Sequence, residues 1–148
     1  MEGDGGVLNT YNENENNGPL HLNVTGVRIE DVSGAEEGGA FYLRNCEECV
    51  VEDSVFRRVS AVQIVHEGGG SIWSYKNAGF LISNVTFEQC MGGGVHLAKS
   101  NHGMMITNST FTRCTASYGG GVYLGENNDD LTITSSIFTG CSAERGGG

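Results

Sequence analysis

Proline occurs once, basic residues eight times and aromatic residues at 8 % in this chain of 148 residues, and each shortage closes off a class of protein. Eight Lys and Arg against eighteen Asp and Glu leave a formal charge of -10, so the surface repels polyphosphates. No cluster of cations supplies the electrostatic footprint of a nucleic-acid binder, and nucleic acid is not expected as a partner. No apolar run approaches the roughly 18 residues of a spanning helix, so membrane insertion is not expected either. The opening MEGDGGVLNT lacks the basic and apolar regions of a signal peptide, which places any export signal outside these residues. What the chain has in excess is glycine, 24 residues of it, and helices tolerate that badly.

The glycines recur in phrases: GGAFYL (38–43), GGGSIW (68–73), GGGVHL (92–97), GGGVYL (119–124) and the terminal GGG (146–148). Aligned on these phrases, a strand start follows at Cys49, Phe80, Met104 and Leu131, with Leu22 in the same role earlier. Seven residues on stands a large apolar residue each time: Ile29, Phe56, Phe87, Phe111 and Phe138, at intervals of 27, 31, 24 and 27. The slack lies in the loop between that residue and the next glycine phrase. Repetition of this period predicts a stacked repeat architecture.

Within LNVTGVRI, CVVEDSVF, FLISNVTF, MMITNSTF and LTITSSIF the first and third residues are apolar, the third being Val24, Val51, Ile82, Ile106 and Ile133. Alternation with β-branched residues marks strands with one buried face. The fifth position reads Gly26, Asp53, Asn84, Asn108 and Ser135, residue types suited to a tight or left-handed turn. A further column reads Val32, Val59, Cys90, Cys114 and Cys141. After the glycines, Phe41, Ser71, Val95 and Val122, then Leu43, Trp73, Leu97 and Leu124, take the inward positions, and His96 shares an outward column with Tyr42, Ile72 and Tyr123. Three short strands and three turns in about 27 residues make one coil of a single-stranded parallel β-helix. The expected fold is all-β: a right-handed parallel β-helix of about five coils over residues 1–148, uncapped at both ends, with a polar insertion at 9–19.

The motifs FEQCMGGGVHL, FTRCTASYGGGVYL and FTGCSAERGGG resemble the repeats of the chlamydial polymorphic outer-membrane proteins and related right-handed β-helix repeats of microbial surface proteins. That family pairs GGA-aliphatic with Phe-x-x-Asn. Here Cys90, Cys114 and Cys141, or Val32 and Val59, replace the Asn. The resemblance implies a secreted or surface-displayed adhesion or scaffold segment rather than a reaction.

The enzymatic alternative is a polysaccharide-active β-helix similar to the pectin lyases, which needs grouped carboxylates on one outer face. The acidic pairs Glu36/Glu37, Glu47/Glu48 and Asp129/Asp130 fall in different turns, which reads as a solvated acidic surface. No metal and no cofactor is expected, since GENNDD lacks the spacing of a calcium loop. The outward Tyr/His column is a candidate to stack on a sugar or a partner protein.

Cys46 and Cys49, as CEEC, are expected to form a tight extracellular disulfide, no second pair being present to complete a four-thiolate metal site. Cys90 and Cys114 have two readings, a bond between stacked neighbours or two small core residues. The sequons at Asn23, Asn84 and Asn108 likewise carry two, N-glycans or a turn-column Asn ladder. The longest excursion, RVSAVQIVHE, offers a binding loop at Ser60, Gln63, His66 and Glu67, and deleting 60–66 tests it. The chain begins and ends at the same point of the repeat, so its partners are expected to be further β-helix coils, of the same chain or of an identical one stacked head to tail into a fibre. A carbohydrate or cell-surface protein is the other partner class, and the location expected is extracellular or cell-surface.

Overall fold

The computed structural model describes residues 7–10, 18–33, 39–61 and 69–146, and they form a parallel β-helix. Its first wall is β1 (Leu8–Thr10), β4 (Phe41–Arg44), β7 (Ile72–Tyr75), β10 (Val95–Lys99) and β14 (Val122–Glu126). The second is β2 (Asn23–Thr25), β5 (Val50–Glu52), β8 (Leu81–Ser83), β11 (Met105–Thr107) and β15 (Thr132–Thr134). The third is β3 (Arg28–Glu30), β6 (Val55–Arg57), β9 (Thr86–Glu88), β12 (Thr110–Thr112) and β16 (Ile137–Thr139). A short parallel pair, β13 (Thr115–Tyr118) and β17 (Ser142–Arg145), flanks them. The chain meets each main wall five times, about four full turns. Asn9 and Thr10, assigned by sequence to the insertion 9–19, pair with Tyr42 and Leu43 in β1, while 11–17 lie outside the described residues.

The walls are joined by corners that need a left-handed backbone. Gly26, Asp53, Asn84, Asn108 and Ser135 take φ between 49° and 68°, as their residue types predict. A second corner at Asp31, Arg58, Gln89, Arg113 and Gly140 has φ between 50° and 62°. Arg and Gln have no preference for that region, so stacking in register imposes it, at a local cost on the order of 1 kcal/mol each.

The inward columns make one continuous core. Phe56, Phe87, Phe111 and Phe138 stack at centroid distances of 5.1, 4.7 and 4.5 Å with interplanar angles of 13°, 10° and 2°. Each such ring buried stabilises the fold by about 1.5–3 kcal/mol, and offset stacking adds roughly 0.5–1.5. Two polar ladders run through the same interior. Ser109 Oγ accepts from Val85 N and Ser136 Oγ from Ser109 N, both at 3.2 Å. Asn77, Asn101 and Asn128 link successive coils, the Oδ1 of each accepting from the backbone N of the coil before at 2.7, 3.1 and 3.0 Å. At the last coil, Leu124, Ile133 and Phe138 are 45, 39 and 39 % exposed, unlike the buried residues of the middle coils in their columns.

Two expectations need correction. The pairs Phe41↔Ile72↔Val95 and Tyr42↔Trp73↔His96 put Ile72 inward and Trp73 outward, so the third coil is displaced by one residue from the sequence alignment, and Ser74 rather than Trp73 is the inward partner of Leu43 and Leu97. The physical reason is a bulge: β10 carries Ala98 as an extra residue between Leu97 and Lys99, and β14 carries Gly125 likewise. Secondly, Cys90 and Cys114 are free thiols, so the bond between stacked neighbours is not formed. Parallel in-register residues hold their Cβ atoms side by side about 4.8 Å apart, wider than the roughly 3.5–4.5 Å a disulfide spans. Their Sγ atoms instead face the carbonyls of Phe56 and Phe87, at 3.5 and 3.6 Å.

Candidate functional site

The outward face of the first wall carries two columns. One is Tyr42, Trp73, His96 and Tyr123, and the other is Arg44, Tyr75, Lys99 and Glu126. Between them lies a groove of about 320 Å³, to which the small residues Ala98 and Gly125 of the bulge contribute. A Cβ on Gly125 would overlap the Ala98 carbonyl oxygen, so only glycine lets the bulges of neighbouring coils nest.

The aromatic column is a ladder along the helix axis. Tyr42 and Trp73 lie 4.5 Å apart at 7°, and Trp73 and Tyr75 5.7 Å apart at 5°. The spacing then opens to 6.5 Å between Trp73 and His96, and His96 meets Tyr123 at 4.5 Å with a 46° tilt. Ring faces are therefore used up within the stack, and the groove meets mainly edges and polar tips. The second column is charged: Arg44 and Lys76 hold their cationic groups 5.0 and 5.5 Å from the Tyr75 ring, and Lys99 pairs with Glu126 at 3.2 Å.

His96 is 4 % exposed, and its Nε2 is buried with no hydrogen-bond partner. Burial pushes its pKa down to about 4, with the Gly69 backbone carbonyl pulling weakly the other way. The ring is thus neutral at physiological pH. With the ring's proton on Nδ1, facing that carbonyl, Nε2 is left as a buried acceptor on a ring that lines the groove.

Glycoside hydrolysis uses two carboxylates about 5–9.5 Å apart. Glu126 is the one carboxylate lining the groove among the described residues, and Lys99 neutralises it. Glu47 and Asp129 do share a column, Glu47↔Ala78↔His102↔Asp129, but three strand spacings, about 14 Å, separate them. His102 Nδ1 lies 3.3 Å from Asp129. Glu36 and Glu37 lie outside the described residues.

Of the other sequence-derived residues, Cys46 and Cys49 form the expected disulfide, with Cα atoms 5.9 Å apart. Asn23, Asn84 and Asn108 are all exposed. Asn84 Nδ2 donates to Asp53 Oδ1 at 2.7 Å, so its amide joins a mixed Asp–Asn pair, while the Asn ladder of the fold is the interior one. Ser60 is half-buried and bridges Ser33 and Met91, whereas Gln63, His66 and Glu67 lie outside the described residues. The sequence placed Tyr42, His96 and Tyr123 together correctly but put Ile72 where Trp73 stands, and it overlooked Arg44, Tyr75, Lys99 and Glu126. The missing signal was the spacing to the Asn column: Phe41 to Cys46 and Ile72 to Asn77 are five residues, Val95 to Asn101 and Val122 to Asn128 six.

No curated protein matches the chain. A family model described as "Right handed beta helix region" matches residues 6–148, nearly the full length, and the parallel walls and stacked corners are what that description requires. The chain belongs to the right-handed β-helix family.

Proposed function

We propose that the chain is a non-catalytic, adhesive segment of a secreted or cell-surface protein, and that the groove on its first wall holds a glycan. The observation that carries this reading is the juxtaposition of an aromatic and a charged column around a hollow with one, already paired, carboxylate. With the ring faces engaged in the stack, the contacts left for a sugar are polar ones, and Arg44, Lys99, Glu126 and His96 offer donors and acceptors to its hydroxyls. The Cys46–Cys49 disulfide fits an oxidising compartment. The likeness to the repeats of chlamydial surface proteins supports the same location, and the exposed Asn23, Asn84 and Asn108 are then N-glycan acceptors, read by mass spectrometry of secreted material.

Calorimetric titration with a neutral probe, cellohexaose, and an acidic one, oligogalacturonate, tests the reading, run beside an assay for new reducing ends and unsaturated products. Saturable binding without product is the expected result. Turnover of either probe supports the polysaccharide-active alternative and overturns the non-catalytic half, and no binding to either overturns the glycan half.

A second role, head-to-tail stacking of copies into a fibre, is favoured by the exposed Leu124, Ile133 and Phe138. Their columns continue those of Thr10, Val24 and Ile29 at the other end of the stack. Sedimentation should show concentration-dependent assembly that Ile133→Asp abolishes, since the residues of its column in the middle coils are fully buried. A monomer at all concentrations rejects it.

A further inference from the structure

Resting on the glycan reading of the groove, we propose that His96 sets the choice of ligand: its Nε2 accepts a hydrogen bond from a sugar hydroxyl, so the groove takes a neutral glycan there and refuses a carboxylate.

Nε2 is a buried acceptor without a partner, and such a group costs free energy until a donor reaches it. His96 lines the groove, on the side of the ladder where the ring spacing opens from 4.5 to 6.5 Å towards Trp73. The ring cannot turn away freely. Gly70, at φ 129°, packs its backbone against His96 so closely that a Cβ there would lie 2.9 Å from the His96 Cβ. With the Nδ1 proton directed to Gly69, only an acceptor lone pair is available at Nε2.

The charged and titratable groups on the packed strands are Arg44 of β4, Tyr75 of β7, Lys99 of β10 itself, and Tyr123 and Glu126 of β14, with Tyr118 of β13 reaching Tyr123. Lys99 is neutralised by Glu126. A uronic carboxylate laid on Nε2 would meet a lone pair, and binding would need the buried ring to take up a proton. A hydroxyl donates its own proton and needs none.

The test uses the whole chain with cellohexaose and oligogalacturonate. Wild type should bind cellohexaose with heats independent of buffer ionisation, and ¹⁵N NMR should show the Nε2 resonance moving on addition. His96→Phe keeps a ring in the ladder but removes the acceptor, and should weaken cellohexaose at least tenfold while the melting temperature at pH 7 changes little. Equal affinity in His96→Phe, or an unmoved Nε2 resonance in saturated wild type, overturns the inference even if the variant misfolds. Tighter binding of oligogalacturonate with proton uptake overturns the neutral preference but leaves a glycan site. Failure of both probes on wild type removes the glycan reading itself, and this inference with it.

Discussion

Replacing Asn101 by alanine should cost more stability than removing any other side chain of the interior amide ladder. Asn101 is fully buried, and its side chain makes four hydrogen bonds. Oδ1 accepts from Ser74 Oγ at 2.8 Å and Asn77 N at 3.1 Å, and Nδ2 donates to Ser74 O at 3.2 Å and Asn128 Oδ1 at 2.8 Å. At about 1 kcal/mol net for each, the loss is about 4 kcal/mol. Asn128, one coil on and half-buried, makes three: it accepts from Asn101 N and Nδ2 at 3.0 and 2.8 Å, and donates to Leu97 O at 3.0 Å. Water can replace part of that set, so Asn128→Ala should cost about 1–2 kcal/mol. Asn101→Asp preserves shape but turns the donor into an acceptor facing Ser74 O and Asn128 Oδ1, and should be as damaging as alanine. Urea unfolding followed by circular dichroism at pH 7 reads all three. With a slope of about 2 kcal/mol per molar, Asn101→Ala moves the midpoint by about 2 M with the slope unchanged. Equal shifts for Asn101→Ala and Asn128→Ala, or a mild Asn101→Asp, would refute the argument that hydrogen bonding rather than packing holds this ladder.

Further outcomes follow from the same geometry. The folded pKa of His96, about 4, lies below the ordinary 6.5, so between these values the unfolded chain binds the proton and the folded one does not. Its contribution is complete above pH 6.5, falls by about 3 kcal/mol as pH drops towards 4, and levels off below; His96→Phe should flatten that slope in unfolding measured from pH 7.5 to 4. Gly125→Ala drives a Cβ into the Ala98 carbonyl and should lower stability by about 1–3 kcal/mol while perturbing the Tyr123 resonances. Cys90 and Cys114 are free thiols with no exposed surface, so iodoacetamide at pH 8 should label them only after unfolding, as peptide mass spectrometry would report.

What sequence reading could reach was whatever repeats with a chemical signature. Phe56, Phe87, Phe111 and Phe138 keep one register and one chemistry, and so does the corner at Asp53, Asn84 and Asn108, where residue type and φ agree. The second corner was illegible, because Arg58, Gln89 and Arg113 are there by position in the stack and not by preference. The interior Asn and Ser columns escaped for the opposite reason: buried polar residues read as surface until each has a partner on the next coil, and those partners lie 24 to 31 residues away. The Cys column was located correctly, and of the two readings open for Cys90 and Cys114 the free, buried thiols are the one found.

The groove exists because one column lost and regained register. A glycine run of three offers two alignments, and in the third coil it shifts so that Ile72, not Ser71, fills the core between Phe41 and Val95. Trp73 is thereby moved to the outer face, where it stacks on Tyr42, and Ser74 becomes an inward polar residue. The Asn ladder then has to satisfy Ser74, which it does through Asn77 and Asn101. Register is recovered only by inserting Ala98 and Gly125, small enough to leave the hollow that the His96 ring lines, its Nε2 buried without a partner. Core packing, polar ladder and binding surface are thus one linked arrangement: removing the bulge by deleting Ala98 and Gly125 together should close the groove and leave Lys99 and Glu126 in the positions that Ala98 and Gly125 now hold. Retained glycan binding in that double deletion would show that the hollow is not where the ligand sits.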